Sequence, residues 1–320
     1  MIKVGIIGGA GYTAGELTRI LLNHPEVTIG WIPSSSQAGL PITHVHEGLI
    51  GETDLTFSDT ARLDDVDCVF MCMGHGKSAE FWANNPRPEH LVVVDLAQDY
   101  RDESCGYVYA LPEFQLDRIK GARLIANPGC FATCIQLALL PLAAEGLLRD
   151  DVHVTAITGS TGAGVKPGAT THFSWRCDNL SVYKAFTHQH LLEIRRTLAT
   201  LQGGDVPAIN FVPMRGDFPR GILASVYTKC DLTHEQAQAL YEQYYAQAVF
   251  THVTSRPLDL KQVTNTNKAL LHVEKHGDLL HIVSCIDNLL KGASGQAVQN
   301  MNIAFGLPQD TGLRLKPNAF

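Results

Sequence analysis

The chain has 320 residues, 45% of them hydrophobic and 18% charged, with a formal net charge of −7. The apolar share excludes a disordered chain, and the length exceeds the roughly 250–300 residues that one core holds, so one large domain or two medium ones are expected. An acidic balance argues against nucleic-acid or anionic-membrane partners, which need a basic face. No run of ~18 uncharged apolar residues exists, so no membrane span is expected.

Residues 2–7 are a β-branched run that stops at Gly8, too brief for a signal peptide. Eight cysteines are too sparse for a disulfide scaffold, so a cytoplasmic chain with reduced thiols is expected. A helical pattern over 11–23 places Leu17, Ile20 and Leu21 on one face. Apolar runs at 27–32, 66–73, 91–96 and 123–126 follow, separated by helical stretches. Continuous apolar strands of this kind imply a parallel sheet covered on both faces, so residues 1–150 are expected to form a Rossmann-type, doubly wound α/β domain. An amphipathic helix is expected from Cys130 to about residue 145.

From Val152 the texture changes. Strands are expected at 152–158, 208–213, 221–229, 269–275 and 278–286, with helices at about 188–201 and 233–247. His276-Gly277-Asp278 reads as a hairpin turn. Residues 151–289 are therefore expected to form an α+β domain on a mixed or antiparallel sheet. A last helix, about 291–305 within the segment 290–320, is expected to pack on the first domain. The low charged share, against ~25% in an average chain, agrees with a homo-oligomer.

Gly8-Gly9-Ala10-Gly11-Tyr12-Thr13-Ala14 lies between the first strand and the first helix. Glycines there let the backbone approach a pyrophosphate, and the helix start presents unpaired N–H groups. Gly8, Gly9, Gly11, Tyr12, Thr13 and Ala14 are the expected cofactor turn. After the second strand an NAD site usually carries an acid for the ribose 2′-hydroxyl. The chain instead reads Pro33-Ser34-Ser35-Ser36-Gln37, so Ser34 and Ser36 are expected to meet a 2′-phosphate and the cofactor to be NADP(H).

Asn127-Pro128-Gly129-Cys130 follows a short strand and opens a helix. A cysteine at a helix N-terminus is favoured as thiolate, a strong nucleophile, and the neighbouring amides could hold an oxyanion. Cys130 is the expected nucleophile. Cys134, one turn on, lacks further ligands at a metal spacing, so no metal is expected.

These motifs resemble the N-acetyl-γ-glutamyl-phosphate reductases over nearly the whole chain. The resemblance rests on Gly8-x-x-Gly11-Tyr12-Thr13, Gly74-His75-Gly76, residues 95–101 (Asp-Leu-Ala-Gln-Asp-Tyr-Arg) and Ala110-Leu111-Pro112-Glu113. It rests equally on Asn127-Pro128-Gly129-Cys130, His188-Gln189-His190-Leu191-Leu192-Glu193-Ile194, and the run from Ile286-Asp287-Asn288 to Asn302. It departs at Val165, where the family has arginine, at Leu192, where it has proline, and in 211–221, which lacks a histidine often found there.

The resemblance implies a second domain like that of aspartate-semialdehyde and glyceraldehyde-phosphate dehydrogenases, used for catalysis and for assembly into dimers or tetramers. It implies that Cys130 attacks an acyl phosphate, expels phosphate and forms a thioester that hydride from NADPH converts to a semialdehyde. His188 would move the proton, with His190 the lesser candidate and Glu193 orienting the imidazole or gripping the substrate. Arg101 would take the phosphate, Asn127 would line the substrate site and Arg220 would take the substrate α-carboxylate. Gly162 and Gly164 would approach the nicotinamide, and Asn288 would bond its carboxamide. Three alternatives stand beside it: the same chemistry on an N-succinyl or aminoadipyl analogue, an aspartate-semialdehyde dehydrogenase-like enzyme, and a cofactor-binding regulator without turnover.

Overall fold

The computed structural model describes residues 1–318. In chain order its elements are β1 (Ile2–Ile7), α1 (Tyr12–Leu21), β2 (Val27–Trp31), β3 (Cys68–Met71), α2 (Lys77–Asn84), β4 (Val92–Asp95), β5 (Val108–Tyr109), α3 (Pro112–Ile119) and β6 (Leu124–Ala126). There follow α4 (Cys130–Ala144), β7 (Val152–Thr158), α5 (Phe173–Arg176), β8 (Ser181–Val182), α6 (His190–Gln202), β9 (Ile209–Arg215) and β10 (Ile222–Lys229). The chain continues through α7 (His234–Tyr244), β11 (Thr251–Val253), β12 (Ala269–His276), β13 (Leu279–Ile286) and α8 (Ser294–Ala304).

Two compact units result: Met1–Pro128 with Ala293–Arg314, and Gly129–Gly292 with residues 315–318, which depart from the expected grouping of 290–320 with the first unit. The first is a six-stranded parallel sheet in the order β2-β1-β3-β4-β6-β5. Its central strands β3 and β4 are buried at every position, which is why they read as unbroken apolar runs. The chain reverses direction of winding at β1, and the crevice beyond the carboxyl ends of β1 and β3 is where such sheets bind ligands. Helix α8 packs on α1, α3 and β4. Its amides serve as internal ties: the Asn300 Nδ2 donates to Ala110 O (2.9 Å) and Asn127 Oδ1 (3.0 Å).

The second unit is a seven-stranded mixed sheet, β11-β12-β13-β10-β7-β9-β8. Gly277, in the left-handed region at φ 59°, makes the turn between antiparallel β12 and β13. Helix α4 is buried from Phe131 to Ala143 and packs on α6, β10 and β13. A helix apolar on all sides belongs in a core. It contains Pro141, which removes the N–H that would bond Leu137 O. The hydroxyl of Tyr245 donates to Leu137 O and that of Tyr241 to Ala138 O, both at 2.5 Å, so the carbonyls beside the gap are satisfied from α7 and the residue following it.

The expected strands are present in both units. The boundary at residue 150 is corrected: α4 carries apolar residues around its whole circumference and buries them in the second unit, so the division falls at residues 128 and 129. The second unit likewise runs past residue 289, to Gly292. Residues 319 and 320 of the expected segment 290–320 lie outside the described residues. No helix among the described residues is long and apolar enough to cross a membrane.

Candidate active site

In the first unit the glycine turn joins β1 to α1. Gly8 has φ +83°, and a Cβ there would come 2.6 Å from Cys72 O. At Gly9 a Cβ would meet Ile32 Cγ2 at 2.3 Å. Both glycines are therefore required by close packing. Gly11, the N-cap of α1, has no side-chain cap, and Tyr12, Thr13 and Ala14 make the first turn. An uncapped helix start after a tight glycine turn suits a dinucleotide pyrophosphate, so these residues fit the expected cofactor. After β2, Ser34 is half-buried with its N–H on Ser58 O, Ser36 is exposed, and no acid stands among residues 33–37.

Arg101 and Asn127 sit together in this unit, but as internal ties. Arg101 is buried; its Nε donates to Asn127 O (2.9 Å) and an Nη to Leu96 O (3.0 Å). The Asn127 Nδ2 donates to Ala293 O (3.1 Å), and its Oδ1 accepts from Asn300. The resemblance gives Arg101 the phosphate and Asn127 the substrate site; the polar atoms named here reach the ends of β4, β6 and α8. A residue not anticipated is Asp95, buried at the end of β4 and accepting from Ala97 N–H (2.7 Å) and Ser78 Oγ (3.1 Å). Burial pushes its carboxyl up to about 6, the two hydrogen bonds opposing.

The second unit brings Cys130, His188, His190 and Glu193 together. Cys130 is the first residue of α4, half-buried, behind an N-cap glycine with no side-chain cap. Gly292 presses on it: a Cβ there would lie 2.8 Å from Cys130 Cβ. Glu193, buried in the first turn of α6, accepts the Gly129 N–H at 3.0 Å and so fixes the entry to α4. Its other oxygen lies 3.9 Å from His190 Nε2.

His188 is buried, with Phe131, Phe211 and Tyr183 edge-on at 5.4, 5.5 and 5.9 Å. Desolvation, then the nearby charges of Lys184 and Arg215, push it down to about 4, so the ring is neutral at ordinary pH. Its Nδ1 accepts the His190 N–H at 3.2 Å, which leaves the ring proton on Nε2. The second histidine thus contributes its backbone to the first.

Arg220, Asn288, Gly162 and Gly164 also lie in this unit. The Arg220 guanidinium grips buried Asp287 at 3.0 and 3.3 Å, so its charge is answered within the unit. The Asn288 Oδ1 accepts Gly221 N–H (2.7 Å), and its Nδ2 donates to Thr161 (3.0 Å). That second bond pins the short turn after β7 holding Gly162; Gly164, φ +82°, ends it.

Sequence reasoning missed Tyr183 and Arg215. Arg215 ends β9, pairs in register with Ser181 of β8, and stacks its guanidinium 4.5 Å over the Tyr183 ring. Burial and the Cys130 charge push the Tyr183 phenol up to about 12, with Arg215 opposing. Tyr183 stands five positions before His188, a spacing that carried no signal alone.

Residues 3–122 match the family description "Semialdehyde dehydrogenase, NAD binding domain", and residues 130–288 match "Semialdehyde dehydrogenase, dimerisation domain". The chain is 58% identical to the N-acetyl-gamma-glutamyl-phosphate reductases of Phocaeicola vulgatus and Bacteroides thetaiotaomicron and 51% identical to that of Flavobacterium johnsoniae, covering 100% of each chain. Among solved structures it is similar to aspartate semialdehyde dehydrogenase II of Vibrio cholerae complexed with ASA (TM-score 0.74, 15% identity, 96% of this chain and 98% of that). It is also similar to the Candida albicans aspartate semialdehyde dehydrogenase with NADP (TM-score 0.69, 16% identity, 95% and 98%).

Proposed function

The chain belongs to the N-acetyl-gamma-glutamyl-phosphate reductase family, and we propose that it carries out that reduction through a thioester on Cys130, forming N-acetylglutamate 5-semialdehyde. The observation that carries this reading is Cys130 at the uncapped start of buried α4, next to Phe131, whose ring lies 5.4 Å from that of a neutral His188.

The helix start favours the thiolate. Cys130 Sγ attacks the γ-carbonyl carbon; the carbon–oxygen bond to phosphate breaks, and phosphate leaves with the bonding pair. The bound reduced nicotinamide nucleotide supplies the hydride. The carbon–sulfur bond then breaks, the semialdehyde departs, and the sulfur regains its charge or a proton. His188 donates its Nε2 proton as a hydrogen bond to the carbonyl oxygen while charge develops there. A ring held neutral serves this part without taking a charge of its own.

Glu193 acts by holding Gly129, and through it the position of Cys130. Asn288 holds the turn of Gly162 and Gly164, whose bare backbone suits close approach to the nicotinamide. Arg101, Asn127 and Arg220 act through the backbone and the acid they hold. The hydroxyls of Ser34 and Ser36, with no acid beside them, favour NADP over NAD. We place assembly into a homo-oligomer on the second unit, which matches the dimerisation domain. No two cysteines are joined in a disulfide among the described residues, as a reducing cytoplasm keeps them.

The test supplies N-acetylglutamate 5-semialdehyde, phosphate and NADP and follows NADPH absorbance, with NAD and the N-succinyl aldehyde as parallel arms. Turnover by the wild-type chain and none by Cys130→Ser is expected; ordinary turnover by that variant would overturn the covalent route.

A further inference from the structure

We infer that Arg215 is the receptor for the α-carboxylate of the substrate. This deepens the proposed reading of the Cys130 site and rests on it.

The second unit gathers two arginines, Arg176 and Arg215, by the pairing of β8 with β9. Arg176 is buried and donates only to neutral acceptors: the carbonyls of Asn179 (3.1 Å), Arg215 (2.6 Å) and Thr170 (3.1 Å), and Ser181 Oγ (3.0 Å). Arg215 makes no ion pair among the described residues, and its buried Nε has no hydrogen-bond partner there. The two guanidiniums repel each other, and the exposed Asp217 carboxylate offsets this at Arg176 in part. A half-buried guanidinium that makes no ion pair, as Arg215 is, gains from an incoming anion.

The placement of Arg215 suits a substrate anion. It lies on the Tyr183 ring, and Tyr183 lies against His188, which lies against Phe131, the neighbour of Cys130. The charge of Arg215 is felt at His188, and that of Cys130 at Tyr183. This run of contacts thus has the neighbour of the nucleophile at one end and, at the other, a guanidinium whose planar fork matches a carboxylate. Arg220, five residues on, is the competing candidate, but buried Asp287 already answers its charge. Lys184 is exposed and bonded to Gln189 at 3.1 Å.

The experiment is steady-state kinetics in the direction of semialdehyde oxidation. Arg215→Ala should raise the KM for N-acetylglutamate 5-semialdehyde by about 100-fold and leave the KM for inorganic phosphate within about twofold. The wild-type chain should prefer this aldehyde to 4-acetamidobutanal, which lacks the carboxylate, by about 100-fold in kcat/KM, and the preference should collapse in Arg215→Ala. Arg215→Lys, which keeps charge and loses the fork, should retain part of it and serves if the alanine variant does not fold. An unchanged rate of Cys130 alkylation by iodoacetamide reports an intact site. A preference that survives in both variants, or a KM change for phosphate instead, overturns the assignment. A wild-type chain inert toward the aldehyde sinks the proposed function itself, a result readily told apart from the others.

Discussion

Two turns in this molecule lead from a strand into a helix, and they are built for different tasks. At the start of α1, backbone geometry does everything: Gly8 and Gly9 are wedged against Cys72 and Ile32, and the helix start is left bare. At the start of α4 the turn is held from outside, with Gly129 N–H taken by Glu193 and Gly292 pressed on Cys130. A turn that receives a ligand by its amides must keep them open. A turn that aims a side chain gives up an amide to fix the aim.

The contrast breaks most decisively at Cys130. Cys130→Ser should lower turnover by at least ~10³-fold while NADPH binding, followed by fluorescence titration, stays within about twofold. Gly11→Val is the mirror experiment. A Cβ there finds nothing nearer than Gly8 O at 3.7 Å, so the chain should fold, yet NADPH affinity should fall about 100-fold as the side chain covers the helix start. Unchanged affinity would show that the amides of α1 are not the binding element.

Glu193→Gln keeps an acceptor for Gly129 but removes the charge. It should cost about tenfold in kcat with little change in the KM for NADP; a change confined to KM would count against a positioning role.

A pH series sharpens the picture further. His188 ordinarily titrates at 6.5 but is held down to about 4. As pH falls through 6.5 the unfolded chain takes up a proton that the folded chain refuses until about 4. Stability from this group is therefore complete above 6.5 and drains away between 6.5 and about 4. His188→Gln should flatten that part of the denaturant-midpoint curve, and the wild-type acid limb of kcat due to this residue should lie near 4. A limb near 6.5 would mean a solvated ring. The smallest effect belongs to Tyr245→Phe, expected to cost about 1 kcal/mol in chemical denaturation.

The fold was legible in the sequence where burial is continuous. β3, β4 and α4 announce themselves by composition, whereas two-residue β5 and β8 have no pattern to detect. The same limit applies to the site. Cys130 and the glycine turn declare themselves because the neighbouring residues are part of the device. Arg215 depends on pairing with Ser181 across 34 positions, and no local spacing encodes that. Arg101, Asn127, Asn288 and Arg220 were recognisable as polar residues in marked places. Their partners decided the rest: Asp287 lies 67 residues from Arg220, and only folding makes it a counter-ion. The misplacement of α4 has a similar origin, since a helix apolar on every side does not say which sheet it will join.

Pro141 makes the helix bearing the nucleophile an incomplete rod, mended midway by two phenols from another part of the chain. Loosening α7 would free those hydroxyls and let the rod flex about its flaw, swinging the sulfur at its far tip. Damage distant from the chemistry, such as nitration of either tyrosine, would then register as lost aim of the nucleophile before any general melting.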